Sequence, residues 1–418
     1  MPRRLLVTVC VAAAFAPFAQ SASPDAAAST AAVAALGEYL RLDPGKRPPV
    51  AGQPFAAVSL TKADADAARQ LLWDDHVRRV RADRAKEWAD RIVHVGDSEM
   101  RFAFRVFGEK PAGGRSLYLS LHGGGGAPKR VNDSQWENQK RLYSPAEGVY
   151  LAPRAPTDTW DLWHLPPVGL LLERVIADAI VFEGVDPDRV YVTGYSAGGD
   201  GVYRLAPRLA DRWAAAAMMA GHPGEISPRG LRNVPFAIHV GEKDGAYERN
   251  KRAAEWGKKL DDLRQQDPGG YEHEVVLHAG KGHWMDREDA AAIGWMARHR
   301  RNPTPTRVVW VQDYVPRPWQ YWLAVPVGEA RKGAEVTAEV AGQRVTVTAD
   351  GPSALVVRLS DALLDLDRPM EVVVNGKPAF AGPAPRTVAV LAATLAERED
   401  AKLAFPAEVR VDVPRAGK

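Results

Sequence analysis

The chain has 418 residues, of which 46% are hydrophobic and 26% are charged, an ordinary composition for a globular protein. Its 55 basic and 52 acidic residues give a formal net charge of +3. Because neither sign dominates, the charge gives no indication of a nucleic-acid or acidic-polymer partner, and the length allows two domains or one large one.

The first residues have the pattern of a secretory signal peptide. Two arginines precede an apolar stretch over residues 5–18, which is too short to span a bilayer as a stable helix. Residues 19–21 form a small-x-small cleavage site. We therefore expect removal of residues 1–21 during export to the periplasm or the extracellular space; the alternative is an uncleaved anchor. The single cysteine, Cys10, lies in this segment, so the mature chain is expected to lack disulfides.

Residues 22–90 are predicted to form a lead-in followed by one long helix. The stretch 22–59 is rich in Ala and Pro, and we expect it to be loosely packed. Thr61 is a typical helix N-cap residue, and Asp64 is placed to reach back to it. From there to about residue 90, apolar residues recur at helical spacing, which predicts an amphipathic helix.

Between residues 91 and 302, short apolar strands alternate with helical segments. The predicted strands are 92–96, 100–107, 117–121, 148–153, 189–193, 236–240 and 274–278. The predicted helices in this region include 168–182 and 248–264. This alternation is typical of a mostly parallel, buried sheet flanked by helices, an α/β fold.

The composition changes near residue 303, where residues 302–305 are Asn-Pro-Thr-Pro and have the character of a linker. Beyond it the predicted strands are 308–311, 321–325, 336–340, 345–348, 354–359 and 371–374. Asn375-Gly376 is a strong hairpin-turn signal, and 387–397 is a predicted short helix. We interpret residues 304–418 as a β-rich, sandwich-like accessory domain; the alternative is a β extension packed tightly on the preceding domain.

Two glycine-rich motifs follow predicted strands. Residues 122–126 are His-Gly-Gly-Gly-Gly, and residues 194–198 are Gly-Tyr-Ser-Ala-Gly. A G-x-S-x-G elbow lifts a serine out of a strand-to-helix turn, and an HGGG-type loop offers backbone N–H groups to a developing oxyanion. We therefore predict Ser196 as the nucleophile, with the oxyanion hole formed by Ala197 and by the loop residues Gly124 and Gly123.

A serine hydroxyl is a weak nucleophile near neutral pH and needs a general base, which a carboxylate in turn orients. In the chain order serine, acid, histidine, the predicted partners are Asp244 and His283, each shortly after a predicted strand. Glu242, Asp200 and Asp286 compete with Asp244 for the role of the acid. His222 and His278 are the other histidines in this region, and for each of them the alternative is a structural role.

The Tyr-Ser-Ala-Gly-Gly elbow at 195–199 and the Gly-His-Trp segment at 282–284 resemble the α/β-hydrolase superfamily. Within it, they are similar to the secreted carboxylesterases grouped with dienelactone hydrolase-like and polyhydroxybutyrate depolymerase-like esterases. The resemblance covers about half the chain and implies an α/β-hydrolase fold with Ser196, Asp244 and His283 as the triad. A dienelactone hydrolase proper would have a cysteine nucleophile, so the serine argues against that activity.

Substrate-binding candidates are mainly aromatic. Trp160, Trp163 and His164, together with Trp284 and Tyr195, predict an aromatic platform for an aryl or sugar ester. The alternative is that these tryptophans pack beneath a long loop. The sequence contains no cluster with metal-ligand spacing and no cofactor motif, so we expect neither a metal nor a cofactor.

These patterns together predict an exported serine esterase that cleaves carboxylic esters through an acyl-enzyme. The expected partner is a small-molecule or polymer-linked ester, with no nucleic acid and no membrane span after signal cleavage. The alternatives are a serine peptidase of the prolyl oligopeptidase type and a surface- or polysaccharide-binding protein with a secondary hydrolase core. The sequence carries no signal for acyl length, for the alcohol or for oligomeric state.

Overall fold

The structure is a computed structural model that describes residues 24–414. The predicted signal peptide, residues 1–21, lies outside the described residues. From residue 24 to residue 414, no helix combines the length and the apolar character that crossing a lipid bilayer requires.

The described residues form eight α-helices and 17 β-strands. The helices are α1 (Ala26–Arg41), α2 (Lys62–Asp90), α3 (Lys129–Gln139), α4 (Pro166–Glu183), α5 (Ala197–Arg208), α6 (Arg249–Gln266), α7 (Ala291–Met296) and α8 (Val388–Arg398). The first eight strands are β1 (Ile92–Val95), β2 (Ser98–Phe107), β3 (Arg115–Leu121), β4 (Gly148–Pro153), β5 (Val185–Tyr195), β6 (Ala215–Met219), β7 (Phe236–Gly241) and β8 (His273–His278). The remaining strands are β9 (Arg307–Val311), β10 (Trp319–Gln320), β11 (Leu323–Ala324), β12 (Glu335–Ala341), β13 (Arg344–Asp350), β14 (Ala354–Leu359), β15 (Met370–Val374), β16 (Lys377–Gly382) and β17 (Ala407–Asp412).

An eight-stranded main sheet has the strand order β1-β2-β4-β3-β5-β6-β7-β8. The hairpin β1–β2 is antiparallel and pairs with β4 in the antiparallel sense, whereas the other six strands are parallel. Strands β4, β6 and β7 are buried along their whole length, because helices cover both faces of a parallel sheet. This arrangement confirms the predicted α/β-hydrolase fold.

Alternate residues of the buried strands enter two separate apolar clusters, one on each face of the main sheet. On β3, Leu117 and Leu119 belong to one cluster while Tyr118 belongs to the other. On β5, Val192 and Tyr191 divide in the same way. This division follows from the two-residue period of a strand, in which successive side chains point to opposite faces of the sheet. The loops gather at the carboxyl ends of the parallel strands, where open α/β sheets place their functional sites.

The predicted long helix is confirmed as α2, and the Thr61 hydroxyl accepts a hydrogen bond from the Asp64 N–H at 3.1 Å, as an N-cap residue does. The expectation of a loosely packed segment over residues 22–59 is wrong for residues 26–41. Residues Ala26–Arg41 form α1, which Asp25 caps, and Leu36 is fully buried in an apolar cluster shared with α2 and α8. Alanine favours helices, so an alanine-rich stretch with a buried face packs well.

The C-terminal region is β-rich, as predicted. Its strands form a five-stranded sheet, β16-β15-β13-β12-β9, and a four-stranded sheet, β10-β11-β14-β17. The predicted turn at Asn375-Gly376 joins β15 to β16, and both residues have positive φ angles of 50° and 75°. The domain boundaries near residues 91 and 303 stay predictions.

The C-terminal region packs against the main sheet through one continuous apolar cluster, which contains Leu172 and Trp213 on one side and Trp322 and Leu355 on the other. A cluster of buried charges, here called the buried ion network, lies between the two regions. It consists of the carboxylates of Glu173, Asp188, Asp211 and Asp400 and the guanidinium groups of Arg212, Arg301, Arg317 and Arg398. Equal numbers of opposite charges make the burial tolerable.

Candidate active site

The predicted nucleophile elbow is present between β5 and α5. Ser196 has φ 56° and ψ −120°, a backbone conformation that costs energy for a residue with a side chain and is typical of functional sites. A Cβ atom on Gly194 would lie 2.3 Å from the Gly198 carbonyl oxygen, and one on Gly198 would lie 2.1 Å from the Leu121 carbonyl oxygen. Only glycine fits at both positions, so the two glycines are needed for the turn.

The structure brings Ser196, His283 and Asp244 into one hydrogen-bonded chain. His283 Nε2 lies 3.0 Å from Ser196 Oγ, and His283 Nδ1 lies 2.8 Å from Asp244 Oδ2. Asp244 is buried, whereas the His283 side chain is 43% exposed. With Nδ1–H donating to the carboxylate, Nε2 is free to accept the serine proton, which is the arrangement that an activated serine needs.

The three side chains come together because each follows a parallel strand at the same edge of the main sheet. Ser196 follows β5, Asp244 follows β7, and His283 follows β8. The carboxyl ends of parallel strands share one edge, so residues far apart in the sequence meet there.

The competing acids have other partners. The Glu242 carboxylate accepts the Gly280 N–H at 2.7 Å and holds the start of the loop that carries His283. Asp286 pairs with Lys281 at 2.8 Å. Neither carboxylate forms the hydrogen bond to His283 that Asp244 makes.

The competing histidines also have structural roles. His278 Nε2 lies 3.1 Å from His239 Nδ1, and its other ring nitrogen lies 3.3 Å from Glu288. His222 Nδ1 accepts the N–H of Gly224 at 3.0 Å.

Asp200 lies one helical turn after Ser196. Its carboxylate accepts the His222 backbone N–H at 2.6 Å, and burial raises the pKa of Asp200 to about 6. The charge state of this carboxyl therefore changes in the range of pH 5 to 7, in a group close enough to His283 for the two charges to interact.

The HGGGG loop lies beside the nucleophile. A Cβ atom on Gly123 would be 3.2 Å from Ser196 Cβ, which shows how closely the loop approaches the elbow. The Gly125 N–H is already bonded to Asn132 Oδ1 at 2.8 Å, and the Gly126 N–H to the Asp158 carbonyl at 3.0 Å. Gly123 and Gly124 line the cavity at Ser196, whereas the amides of Gly125 and Gly126 are already hydrogen-bonded elsewhere.

His122 orients this loop. The Ala155 N–H donates to His122 Nε2 at 3.1 Å, so the ring proton is on Nδ1, which donates to the Gly123 carbonyl at 2.6 Å. Burial lowers the pKa of His122 to about 4, which keeps the ring neutral. In a trans peptide the N–H points opposite to the C=O, so the Gly124 N–H points away from His122. The first N–H of α5, at Ala197, has no partner inside the helix.

Asn132 supports the same loop and is not among the site residues predicted from the sequence. It is fully buried on α3, and its amide also donates to the Ala127 carbonyl at 3.0 Å. Gly124 has φ 108°, and a Cβ atom there would lie 2.1 Å from Asn132 Oδ1. The glycine at 124 is therefore required both by its backbone angle and by the closeness of Asn132.

A cavity of about 740 Å³ opens at Ser196. Its walls are formed by Gly123, Gly124, Val131, Gln135, Asn138, Gln139, Arg141, Leu142, Tyr195, Ser196, His283, Trp284 and Arg287. Two of the predicted substrate-binding residues, Trp284 and Tyr195, line this cavity, and the Trp284 side chain is half exposed there.

The other three aromatic candidates do not line the cavity. Trp163 is buried, and its Nε1–H donates to the His122 carbonyl at 2.9 Å, so its role is to hold the HGGGG loop. Trp160 is 69% exposed, and its ring meets the edge of His164 outside the cavity wall. The structure therefore does not bring these three side chains together with Trp284 on the cavity wall, because the loop that carries them turns Trp163 inward beneath the HGGGG motif and leaves Trp160 and His164 outside the wall. A role of the exposed Trp160 in substrate binding stays a prediction.

Within the described part of the chain, no group of three or more His, Cys, Asp or Glu side chains is placed to hold a metal ion.

Comparisons with known proteins give a partial match. No protein-family model matches the chain. A protein of Nocardia uniformis subsp. tsuyamanensis described as "Putative esterase NocK" is 32% identical over 141 residues, which are 31% of this chain and 40% of that protein. The chain thus spans well under half the length of this curated relative.

Solved structures with a similar chain course include a thermostable esterase, at 18% identity and a TM-score of 0.42, covering 50% of this chain and 62% of the other. An S-formylglutathione hydrolase from Agrobacterium tumefaciens has 16% identity and a TM-score of 0.38, covering 50% of this chain and 93% of the other. The strand order of the main sheet and the elbow at Ser196 show that the chain is a protein of the α/β-hydrolase fold.

Proposed function

We propose that the protein is a serine esterase that hydrolyses carboxylic esters through an acyl-enzyme, with Ser196, His283 and Asp244 as its catalytic triad. The observation that carries this proposal is the hydrogen-bonded chain from Asp244 through His283 to Ser196, on the wall of a cavity that also presents the Gly123–Gly124 loop. The description of the curated relative as an esterase supports the choice of an ester over a peptide.

In the acylation half, Ser196 Oγ attacks the acyl carbon while His283 Nε2 takes the hydroxyl proton. Asp244, buried and hydrogen-bonded to Nδ1–H, stabilises the imidazolium that forms. The carbonyl oxygen gains the negative charge, and the N–H groups of Ala197 and Gly124 donate to it. Collapse of the intermediate breaks the bond to the alcohol oxygen, which receives the proton from Nε2.

In the deacylation half, a water molecule replaces the alcohol. His283 takes a proton from the water as it attacks the acyl carbon, and the same donors hold the oxyanion. Collapse then breaks the bond to Ser196 Oγ, which recovers its proton from Nε2 and releases the acid. The open cavity gives water access to His283, whose side chain is partly exposed.

The test is hydrolysis of a p-nitrophenyl acyl series and of a methyl hydroxycinnamate by the wild type and Ser196→Ala. We expect wild-type activity that falls by on the order of 10⁴–10⁶ in kcat in the variant. Ser134→Ala, an exposed serine on α3, is the matched control and should keep full activity. Equal hydrolysis by the wild type and Ser196→Ala, or none by either, contradicts the proposal. Cleavage of a peptide p-nitroanilide without ester hydrolysis favours the peptidase alternative.

We further propose that the protein is exported, on the strength of the signal-like pattern in residues 1–21. Expression of the full chain in a Gram-negative host, followed by fractionation and N-terminal sequencing, tests this. A periplasmic or extracellular product that starts near residue 22 supports export. A product that keeps residues 1–21 in the cytosolic fraction contradicts it.

A further inference from the structure

The hydroxyl of Tyr195, the residue before the nucleophile, is committed to the loop that carries His283. It donates to the His283 carbonyl at 2.7 Å and accepts the Met285 N–H at 3.1 Å. Tyr195 is 8% exposed, and burial raises its pKa, so the hydroxyl stays protonated and serves as donor and acceptor at once. Its predicted role as a substrate contact therefore applies only to its ring.

The loop needs such support because its conformation is irregular and strained. Asp286 and Arg287, two consecutive residues with side chains, have positive φ angles of 53° and 67°. Such conformations persist only where the surrounding contacts enforce them. Before the segment that Tyr195 holds, the Lys281 carbonyl accepts the Lys243 N–H at 2.8 Å, and after it the Glu288 N–H donates to the Met285 carbonyl at 3.0 Å. Tyr195 holds the backbone between these two ties.

The ring of Tyr195 packs against the same segment. It meets the His283 ring edge-on, with centroids 5.9 Å apart, and the Trp284 ring at 5.7 Å. A single side chain thus contacts the backbone before and after Trp284 and the two rings that flank Ser196 in the cavity wall.

We propose that Tyr195 is a positioning residue for ester hydrolysis: its hydroxyl fixes the backbone of the His283 loop and so sets the distance from His283 Nε2 to Ser196 Oγ. Tyr195 is covalently next to Ser196. The two hydrogen bonds therefore tie the backbone of the base directly to the backbone of the nucleophile. A displacement of about 1 Å between reacting groups costs on the order of 100-fold in rate, so the loss of this tie should appear in catalysis.

The test variant is Tyr195→Phe, which keeps the ring and its packing but removes both hydrogen bonds. The matched control is Tyr191→Phe, on the same strand. Tyr191 is also buried, and its hydroxyl donates to the backbone carbonyl of His299 at 2.9 Å, away from the cavity. Tyr195→Phe removes two hydrogen bonds to the backbone and Tyr191→Phe removes one, each worth about 1 kcal/mol, so both changes lower stability moderately.

The inference rests on the proposed function, and the measurements separate the two. For the wild type and both variants, we would measure kcat and KM on a p-nitrophenyl ester, the rate of inactivation by an alkyl fluorophosphonate, and the melting temperature. We expect Tyr195→Phe to lower kcat and the inactivation rate by about 10- to 100-fold. Its KM should stay within about twofold because the ring still lines the cavity, and Tyr191→Phe should keep the wild-type kcat.

Two results overturn the inference alone, given an active wild type. One is a Tyr195→Phe variant whose kcat and inactivation rate match the wild type. The other is an equal loss of activity in Tyr195→Phe and Tyr191→Phe that parallels their loss of stability. This result would mean that the Tyr195 hydroxyl contributes only to the stability of the fold. A wild type that neither hydrolyses esters nor reacts with the fluorophosphonate overturns the proposed function, and this inference with it.

Discussion

The charge of Asp211 is predicted to be essential to the stability of the whole chain. Asp211 is fully buried and accepts hydrogen bonds from Arg317 Nη1 at 2.7 Å, from Arg398 Nη2 at 2.5 Å and from the Tyr321 N–H at 2.9 Å. Burial alone would raise its pKa, but the guanidinium groups of Arg317 and Arg398 outweigh this and hold the pKa of Asp211 well below its ordinary value. The substitution Asp211→Asn therefore removes a buried negative charge at neutral pH while nearly preserving the shape of the side chain.

The loss of stability in Asp211→Asn depends on which ion pairs Arg317 and Arg398 retain. Arg317 retains an ion pair with Glu173. Within the described residues, Asp211 is the one carboxylate that lies within 4.0 Å of Arg398, so the substitution leaves this buried guanidinium without a pair. Burial lowers the pKa of Arg398 to about 10 even with Asp211 beside it. Removal of one partner of a buried ion pair costs about 3–5 kcal/mol, and we expect a loss of stability in this range.

Urea unfolding, followed by tryptophan fluorescence and circular dichroism at pH 7.5, measures the loss. The control is Glu38→Gln, which removes a pair with Arg41 in which both side chains are at least 70% exposed; it should cost less than about 0.5 kcal/mol. Because the folded pKa of Asp211 lies below its unfolded value, its stabilising effect is present above about pH 4 and is lost as the pH falls. A loss below 1 kcal/mol at pH 7.5, or one equal to that of the control, refutes the argument.

Two further predictions concern the loops and groups around the candidate active site. Gly124→Ala should lower kcat for ester hydrolysis by about 10²–10³, because the new Cβ would collide with Asn132 Oδ1 and displace the oxyanion donor. The control is Gly96→Ala, which is also at positive φ but in open space and should keep the wild-type kcat. Equal rates in the two variants contradict the role of the loop. The pKa of Asp200, raised by burial from 3.8 to about 6, means that its ionisation in the folded state opposes folding, so the contribution of this one group to stability declines as the pH rises from 4 to 7. Asp200→Asn keeps an acceptor for the His222 N–H. Its free energy of unfolding should match that of the wild type near pH 4 and exceed it by about 3 kcal/mol at pH 7. A difference in stability that is independent of pH refutes the raised pKa of Asp200.

The elements that were predictable from sequence depend on local geometry or on chain order. The elbow at Ser196 needs glycine at 194 and 198 because a Cβ at either position would strike a neighbouring backbone, so the motif itself carries the structural information. The chain order after the serine and the positions beyond apolar strands predict Asp244 and His283 as its partners. The strand order places Ser196, Asp244 and His283 at one edge of the sheet. The distances from His283 to Ser196 Oγ and to Asp244 Oδ2 are consistent with the predicted triad.

What the sequence did not show depends on long-range packing. Strand β6 is Ala-Ala-Ala-Met-Met, which lacks the β-branched residues typical of strands, and it forms because neighbouring strands pair with it on both sides. The inward turn of Trp163 depends on a hydrogen bond to His122, 41 residues earlier. The pairing of Asp211 with Arg398 spans 187 residues, a separation at which a single sequence shows no pattern.

The position of the buried ion network in the fold has a consequence for cooperativity. Arg398 and Asp400, which compensate Asp211 and Arg301, lie at the end of α8, the helix that shares an apolar cluster with α1 and α2. Detaching this segment while the rest of the network stays buried would leave opposite charges without their partners, which is costly. We therefore expect the C-terminal segment and the main sheet to unfold together rather than one after the other.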